Sequence, residues 1–137
     1  MYLVDTNVWL ERLLDQARSA EVGQFLDTIP SDELIITDFA LHSIGVILDK
    51  LGQIDTLRQF IDDLFVNGNV ILVSLSPSAI KYLSAQIEQL NLDFDDGYQY
   101  KAAEQSKAII VSFDRDFDHT ERGRQSPAEV AAAYQSV

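Results

Sequence analysis

The chain has 137 residues, 47% of them hydrophobic, which fills one core, so a single domain over residues 1–137 with one site is expected. It holds no cysteine, which excludes disulfides and thiolate metal sites and leaves oxygen ligands, or His42 and His119, for any bound cation. The net charge of −12 excludes a broadly basic surface for gripping phosphates, and no apolar run approaches the roughly 20 residues that span a bilayer, so a soluble cytoplasmic protein without membrane contact is expected.

Tyr2-Leu3-Val4 is a short apolar run, and Asp5-Thr6-Asn7 after it are residues that end strands and cap helices. Val8, Trp9, Leu10, Leu13 and Leu14 then fall at helical spacing, which makes Trp9 a core residue or part of a dimer face. A second helix is expected over 19–28, with Val22, Phe25 and Leu26 on one side and Pro30 closing it. Leu34-Ile35-Ile36-Thr37 reads as a strand, and Ala40, Ile44, Ile47 and Leu51 form the buried stripe of a helix that Gly52 ends.

Another helix is expected over 54–65, and Asn67-Gly68-Asn69 is a turn signal. The run Val70-Ile71-Leu72-Val73 predicts a fully buried parallel strand. Pro77 opens a helix carrying Ile80, Leu83, Ile87 and Leu90, and Asp93 caps one that runs to about Lys107. Ile109-Ile110-Val111-Ser112 is the last strand, leading into Phe113-Asp114; residues 118–125 read as a loop and 127–134 as an Ala-rich helix. Strands alternating with helices imply a mainly parallel sheet covered on both faces, a three-layer α/β/α sandwich.

Open sheets of this kind bind ligands beyond the carboxyl ends of their strands. Asp5, Thr37 with Asp38, and Ser112 with Asp114 stand at three such ends, while Asp95 and Asp96 lie in the first turn of the helix that leads into the last strand. Carboxylates sharing one cavity repel by about 3 kcal/mol per pair at roughly 5 Å and an effective dielectric near 20, so a converging cluster implies a compensating divalent cation. Mg²⁺ and Mn²⁺ accept such oxygens and promote phosphoryl hydrolysis. The plainer readings are a helix cap for Asp5, a favourable first-turn charge for Asp96 and an acidic turn for Asp114 with Asp116. Arg115, Arg122 and Arg124 are either a local basic strip or ordinary solvated surface.

Leu3-Val4-Asp5-Thr6-Asn7-Val8-Trp9-Leu10, Leu92-Asp93-Phe94-Asp95-Asp96-Gly97 and Val111-Ser112-Phe113-Asp114-Arg115-Asp116-Phe117 together resemble the three motif blocks of PIN domains, in order and over nearly the whole chain. The resemblance implies a Rossmann- or flavodoxin-like sandwich and Mg²⁺- or Mn²⁺-dependent endoribonuclease activity on RNA. It also implies, often, the toxin of a VapBC-type toxin–antitoxin pair, with an antitoxin protein as partner and a homodimer as assembly. Carried over by position, Asp5, Asp96 and Asp114 match the family's metal-binding aspartates and Asp116 an additional acidic position, with Thr6 or Ser112 as hydroxyls near the metal.

The chain departs from the pattern where the family usually has a glutamate on the helix after the second strand. Counted from Thr37, that slot falls on His42, a ligand that suits manganese better than magnesium or a group able to act as general acid or base, with Asp38 one turn earlier as a substitute carboxylate. The alternative function is therefore a catalytically impaired PIN scaffold serving as a protein-binding module. A phospho-acceptor receiver domain shares the architecture but fits poorly, since no late lysine follows a strand.

Overall fold

The computed structural model describes residues 1–136. Four strands, β1 (Tyr2–Val4), β2 (Leu34–Thr37), β3 (Ile71–Val73) and β4 (Ile109–Val111), pair in parallel in the order β3-β2-β1-β4. Seven helices connect them: α1 (Thr6–Leu13), α2 (Ser19–Thr28), α3 (Asp38–Lys50), α4 (Ile54–Ile61), α5 (Pro77–Leu90), α6 (Phe94–Ser106) and α7 (Pro127–Gln135). The chain builds outward from β1 through β2 to β3, then returns to place β4 on the other side of β1. The order therefore reverses between β1 and β4, and their carboxyl ends flank the crevice where an open α/β sheet binds its ligand.

Alternation along the strands divides the core into two halves. Val4, Ile36 and Val111 point to the face covered by Val8 and Trp9 of α1, Val22 and Phe25 of α2, Ile44 of α3, Phe60 of α4 and Val130 of α7. Leu3, Ile35 and Ile110, their neighbours in sequence, point to the opposite face, where Leu83 of α5 and Ala102 and Ala103 of α6 lie. Each fully buried Leu, Ile or Phe contributes about 1.5–3 kcal/mol by leaving water. Trp9 is a core residue: it is 2% exposed and its ring meets Phe60 edge to face at 5.3 Å.

Two expectations are corrected. β3 is not a fully buried strand, since Ile71 and Leu72 are 42% and 50% exposed; it is the sheet's edge. The helix expected over 54–65 ends at Ile61 and widens into a π-helical turn, Asp62–Val66, in which Asn67 N donates to Asp62 O at 2.8 Å. The three-layer sandwich itself is as expected, with the sheet wholly parallel. No helix among the described residues is long and apolar enough to cross a membrane.

Candidate metal centre

Asp5 follows the last residue of β1, and its backbone N–H still belongs to the sheet, donating to Val111 O at 2.9 Å. Its carboxylate is 6% exposed and accepts three hydrogen bonds. Thr6 N at 2.8 Å and Gln99 Nε2 at 3.0 Å donate to Oδ1, and Ser112 Oγ at 2.7 Å donates to Oδ2. Asp5 is thus the cap of α1, as the plainer reading had it, and also the floor of a cleft of about 360 Å³ whose walls carry Thr6, Asn7, Asp93, Asp95, Asp96, Asp114 and Asp116.

The other carboxylates arrive on separate elements. Asp93 caps α6 by accepting from Asp96 N at 2.8 Å, which fixes the first turn and brings Asp96 over the crevice. The loop after β4 is tied down through Ser112, whose hydroxyl accepts from Asp114 N at 2.9 Å and from Asn7 Nδ2 at 3.3 Å; Asn7 Oδ1 accepts from Phe113 N at 3.3 Å. Asp114 then caps a single 3-10 turn, Arg115–Phe117, by accepting from Asp116 N at 2.9 Å. As a result, one carboxylate oxygen each from Asp96, Asp114 and Asp116 lies within 4.8 Å of the other two.

That crowding shows in the acidities. The Asp96 carboxyl is pushed up to about 7, first by desolvation and then by the charges of Asp114, Asp93, Asp5 and Asp116. Burial also raises Asp5, against the lowering effect of Gln99, Ser112 and Thr6, and Asp114 adds to the rise. Carboxylates gathered in a partly desolvated crevice make a site whose negative charge a cation would balance. Their donor set is all oxygen, suiting a hard ion such as Mg²⁺ or Mn²⁺. Thr6 adds to the fit: it lines the cleft, and its Oγ1 is shielded from solvent with no hydrogen-bond partner among the described residues.

The crevice thus brings together Asp5, Asp96, Asp114 and Asp116. It does not include His42, which lies exposed beside a larger, mainly apolar groove of about 480 Å³ with Asp38, Val46, Asp49, Leu57 and Leu72. The side chains that α3 turns toward the carboxylates are Phe39 and Ser43, four residues apart and so on one helical face. Ser43, not His42, is therefore the residue on the carboxylate side: one position along a helix turns a side chain about 100° around its axis. Asp38 does not replace the missing carboxylate either, because its Oδ1 accepts from Tyr98 OH at 2.7 Å on the far side of that helix end. The suggested arginine strip has structural employment: Arg122 donates to Ala108 O at 2.8 Å, and Arg124 to Ser112 O at 3.0 Å and Asp118 Oδ1 at 2.9 Å.

A parallel α/β sandwich with aspartates from β1, α6 and the β4 loop gathered at the point where strand order reverses defines the class of this protein. Residues 2–123 match the PIN domain model, and the chain belongs to that family. Similar solved structures include a toxin–antitoxin complex from Klebsiella pneumoniae, with a TM-score of 0.73 and 18% identity over 93% of this chain and 98% of that one. VapC20 of Mycobacterium tuberculosis, described as a sarcin–ricin loop cleaving toxin, superposes with a TM-score of 0.75 and 12% identity over 89% and 96% of the two chains. FitAcB from Neisseria gonorrhoeae gives 0.71 and 19% identity over 93% and 98%. Compared with curated protein sequences, the chain finds no match.

Proposed function

We propose that this chain is a divalent-metal-dependent endoribonuclease, the toxin of a type II toxin–antitoxin pair, that hydrolyses RNA phosphodiester bonds. The observation that carries the reading is the convergence of Asp96, Asp114 and Asp116 within 4.8 Å above the buried Asp5. Those four carboxylates would hold Mg²⁺ or Mn²⁺. When bound, such an ion supplies Lewis acidity to water and to phosphate oxygens and offsets the charge that builds during phosphoryl transfer.

The chain's own residues do the rest. Asp5, which accepts three hydrogen bonds, is a carboxylate fixed in orientation at the base of the cleft. Asp96 and Asp114 are held by backbone-anchored caps, so their oxygens need little rearrangement on loading. The similar structures, a toxin–antitoxin complex and a sarcin–ricin loop cleaving toxin, support the same reading.

An antitoxin partner is proposed on complementary chemistry. The protein carries a net charge of −12, and the groove beside α3 presents Val46, Leu57, Ile61 and Leu72 between Asp38 and Asp49. A basic amphipathic segment would satisfy both features. The test of function is cleavage of a structured RNA by purified protein with Mn²⁺, its loss on chelation, and its loss in Asp5→Asn with circular dichroism unchanged. Cleavage that persists in Asp5→Asn removes Asp5 from the reaction. The impaired-scaffold alternative draws on one observation, that α3 offers Ser43 rather than a carboxylate, and it requires that calorimetry detect no Mn²⁺ binding at millimolar concentration.

A further inference from the structure

The carboxylate cleft continues into a second cleft of about 380 Å³ that shares Asn7 and Leu10 with it. Leu14 and Ile47 give this cleft apolar walls, and Phe113, between Ser112 and Asp114 in sequence, adds an aromatic ring to it. Over that ring, 3.9 Å from its centroid, lies the Arg18 guanidinium. Glu21 pins the guanidinium edge-on, accepting from Nε at 3.1 Å and from Nη2 at 2.9 and 3.2 Å, while Glu11 accepts from Arg18 N at 2.8 Å. The Arg18 side chain is nevertheless 50% exposed.

These facts decide what kind of ligand the cleft suits. The donors of Arg18 along its pinned edge are spent on Glu21, which also cancels its charge, so it is poorly placed to fork onto a phosphate. The guanidinium is held between Glu21 and the Phe113 ring, and a guanidinium face is weakly hydrated and stacks well on flat π systems. Single-stranded RNA is gripped by stacking of unpaired bases on aromatic and arginine planes, the mode open to a protein whose overall charge repels the backbone. The groove on the other side of α3 offers no guanidinium, its one ring is the His42 imidazole, and it carries Asp38 and Asp49.

We propose that the Asn7–Arg18–Phe113 cleft is a nucleobase subsite. It receives the base of a nucleotide flanking the phosphate on the carboxylates, stacked on the Arg18–Phe113 pair, with Gln16 on the cleft wall to hydrogen-bond its edge. The inference rests on the ribonuclease reading and adds where base preference comes from.

The test compares wild type with Arg18→Ala and Arg18→Lys on a pool of short oligoribonucleotides with Mn²⁺. Arg18→Ala is expected to raise KM about 10-fold with kcat little changed and to flatten the base preference next to the cut. Mn²⁺ affinity by calorimetry should stay at the wild-type level. Arg18→Lys should not rescue, because an ammonium keeps the charge but has no plane. Unchanged KM and base preference in Arg18→Ala overturn the subsite, as does a rescue by Arg18→Lys, which would mark a phosphate contact instead. A hexaribonucleotide containing 2-aminopurine, bound to an Asp114→Asn background, reads stacking without turnover: quenching that Arg18→Ala abolishes supports the subsite, and quenching it leaves intact sinks it. Absence of cleavage by wild type is a separate outcome and counts against the ribonuclease reading alone.

Discussion

Gln99 donates from Nε2 to Asp5 Oδ1 at 3.0 Å, and the direction of that bond is set at the amino end of α3. Ala40 N donates to Thr37 Oγ1 at 3.0 Å, so the Thr37 hydroxyl proton is free to go to Gln99 Oε1, 2.6 Å away, and the amide must present its nitrogen to Asp5. Gln99 is 1% exposed and Thr37 fully buried, so water does not compete for these bonds. A second relay reaches the other oxygen of Asp5. Ser112 Oγ accepts from Asp114 N and Asn7 Nδ2, and its own proton therefore points at Asp5 Oδ2. The two chains stitch the ends of β2 and β4 to the end of β1 and offset part of the desolvation that raises the pKa of Asp5.

Replacing Gln99 by leucine removes the donor to Asp5 while keeping much of the volume. Outer partners of metal ligands typically govern about 10- to 100-fold in affinity, so calorimetric Mn²⁺ binding by Gln99→Leu should weaken by about that much. Thr37→Val, which does not line the cleft, should weaken it in the same direction by freeing the amide to turn. Wild-type Mn²⁺ affinity in both variants would show that the relay only braces the fold.

Tyr98 supplies the control. Its hydroxyl accepts from Leu75 N at 3.0 Å and donates to Asp38 Oδ1 at 2.7 Å, on the side of α3 away from the carboxylates. Tyr98→Phe strands the buried Leu75 N–H and should cost about 1–3 kcal/mol in chemical denaturation, leaving Mn²⁺ affinity unchanged. A matching fall in affinity would mean that general loosening, rather than the orientation of Asp5, explains the Gln99 result.

The crowded carboxylates make a pH prediction whose sign is fixed. Asp96 titrates at about 7 in the folded chain against an ordinary value of 3.8, so the folded state binds the more protons between those limits. The contribution of Asp96 to the stability of the metal-free protein is therefore present at low pH and is lost as pH rises through about 7. Thermal denaturation in chelator at pH 5 to 8 should show the metal-free protein losing stability relative to Asp96→Asn as pH rises. Added Mn²⁺ should raise the melting temperature more at pH 8 than at pH 5.5, because protons compete with the ion for the same oxygens. A difference between wild type and Asp96→Asn that does not vary with pH would contradict the shift.

The strands, their alternation with helices and the aspartates at the strand ends are legible in the sequence because each leaves a local mark: an apolar run, a cap, a turn. Gln99 leaves none. It sits within Gly97–Ala103, a stretch of α6 that is buried on all sides, so no polar stripe separates an inward glutamine from an outward one. The only sign is a polar side chain three residues after Asp96 on a helix too buried to solvate it. The exposure of β3 is illegible for a related reason, since Ile71-Leu72-Val73 has the composition of an interior strand and only the strand order makes it an edge. Thr37 is visible as a polar strand end, but its reach to Gln99 spans 62 positions and emerges only when α6 is laid across the sheet.

Which of His42 and Ser43 serves the carboxylate cleft is settled by substitution. His42 lines the apolar groove and Ser43 the carboxylate cleft, so the two adjacent positions should respond oppositely to substitution. His42→Ala should leave Mn²⁺ affinity and RNA cleavage at the wild-type level, because the imidazole has no path to the carboxylates. Ser43→Glu places an additional carboxylate on the wall facing Asp96 and Asp114. In the metal-free state it adds like-charge repulsion, so melting in chelator should fall. In Mn²⁺ the same charge becomes a ligand or a near neighbour of the ion, so affinity should rise, by about 10-fold if it adds on the order of 1.4 kcal/mol of net attraction. The signature is this opposite movement of stability without metal and affinity with it. Loss of Mn²⁺ binding in His42→Ala, with Ser43→Glu inert, would return the slot to His42 and require α3 to be rotated from the orientation described above.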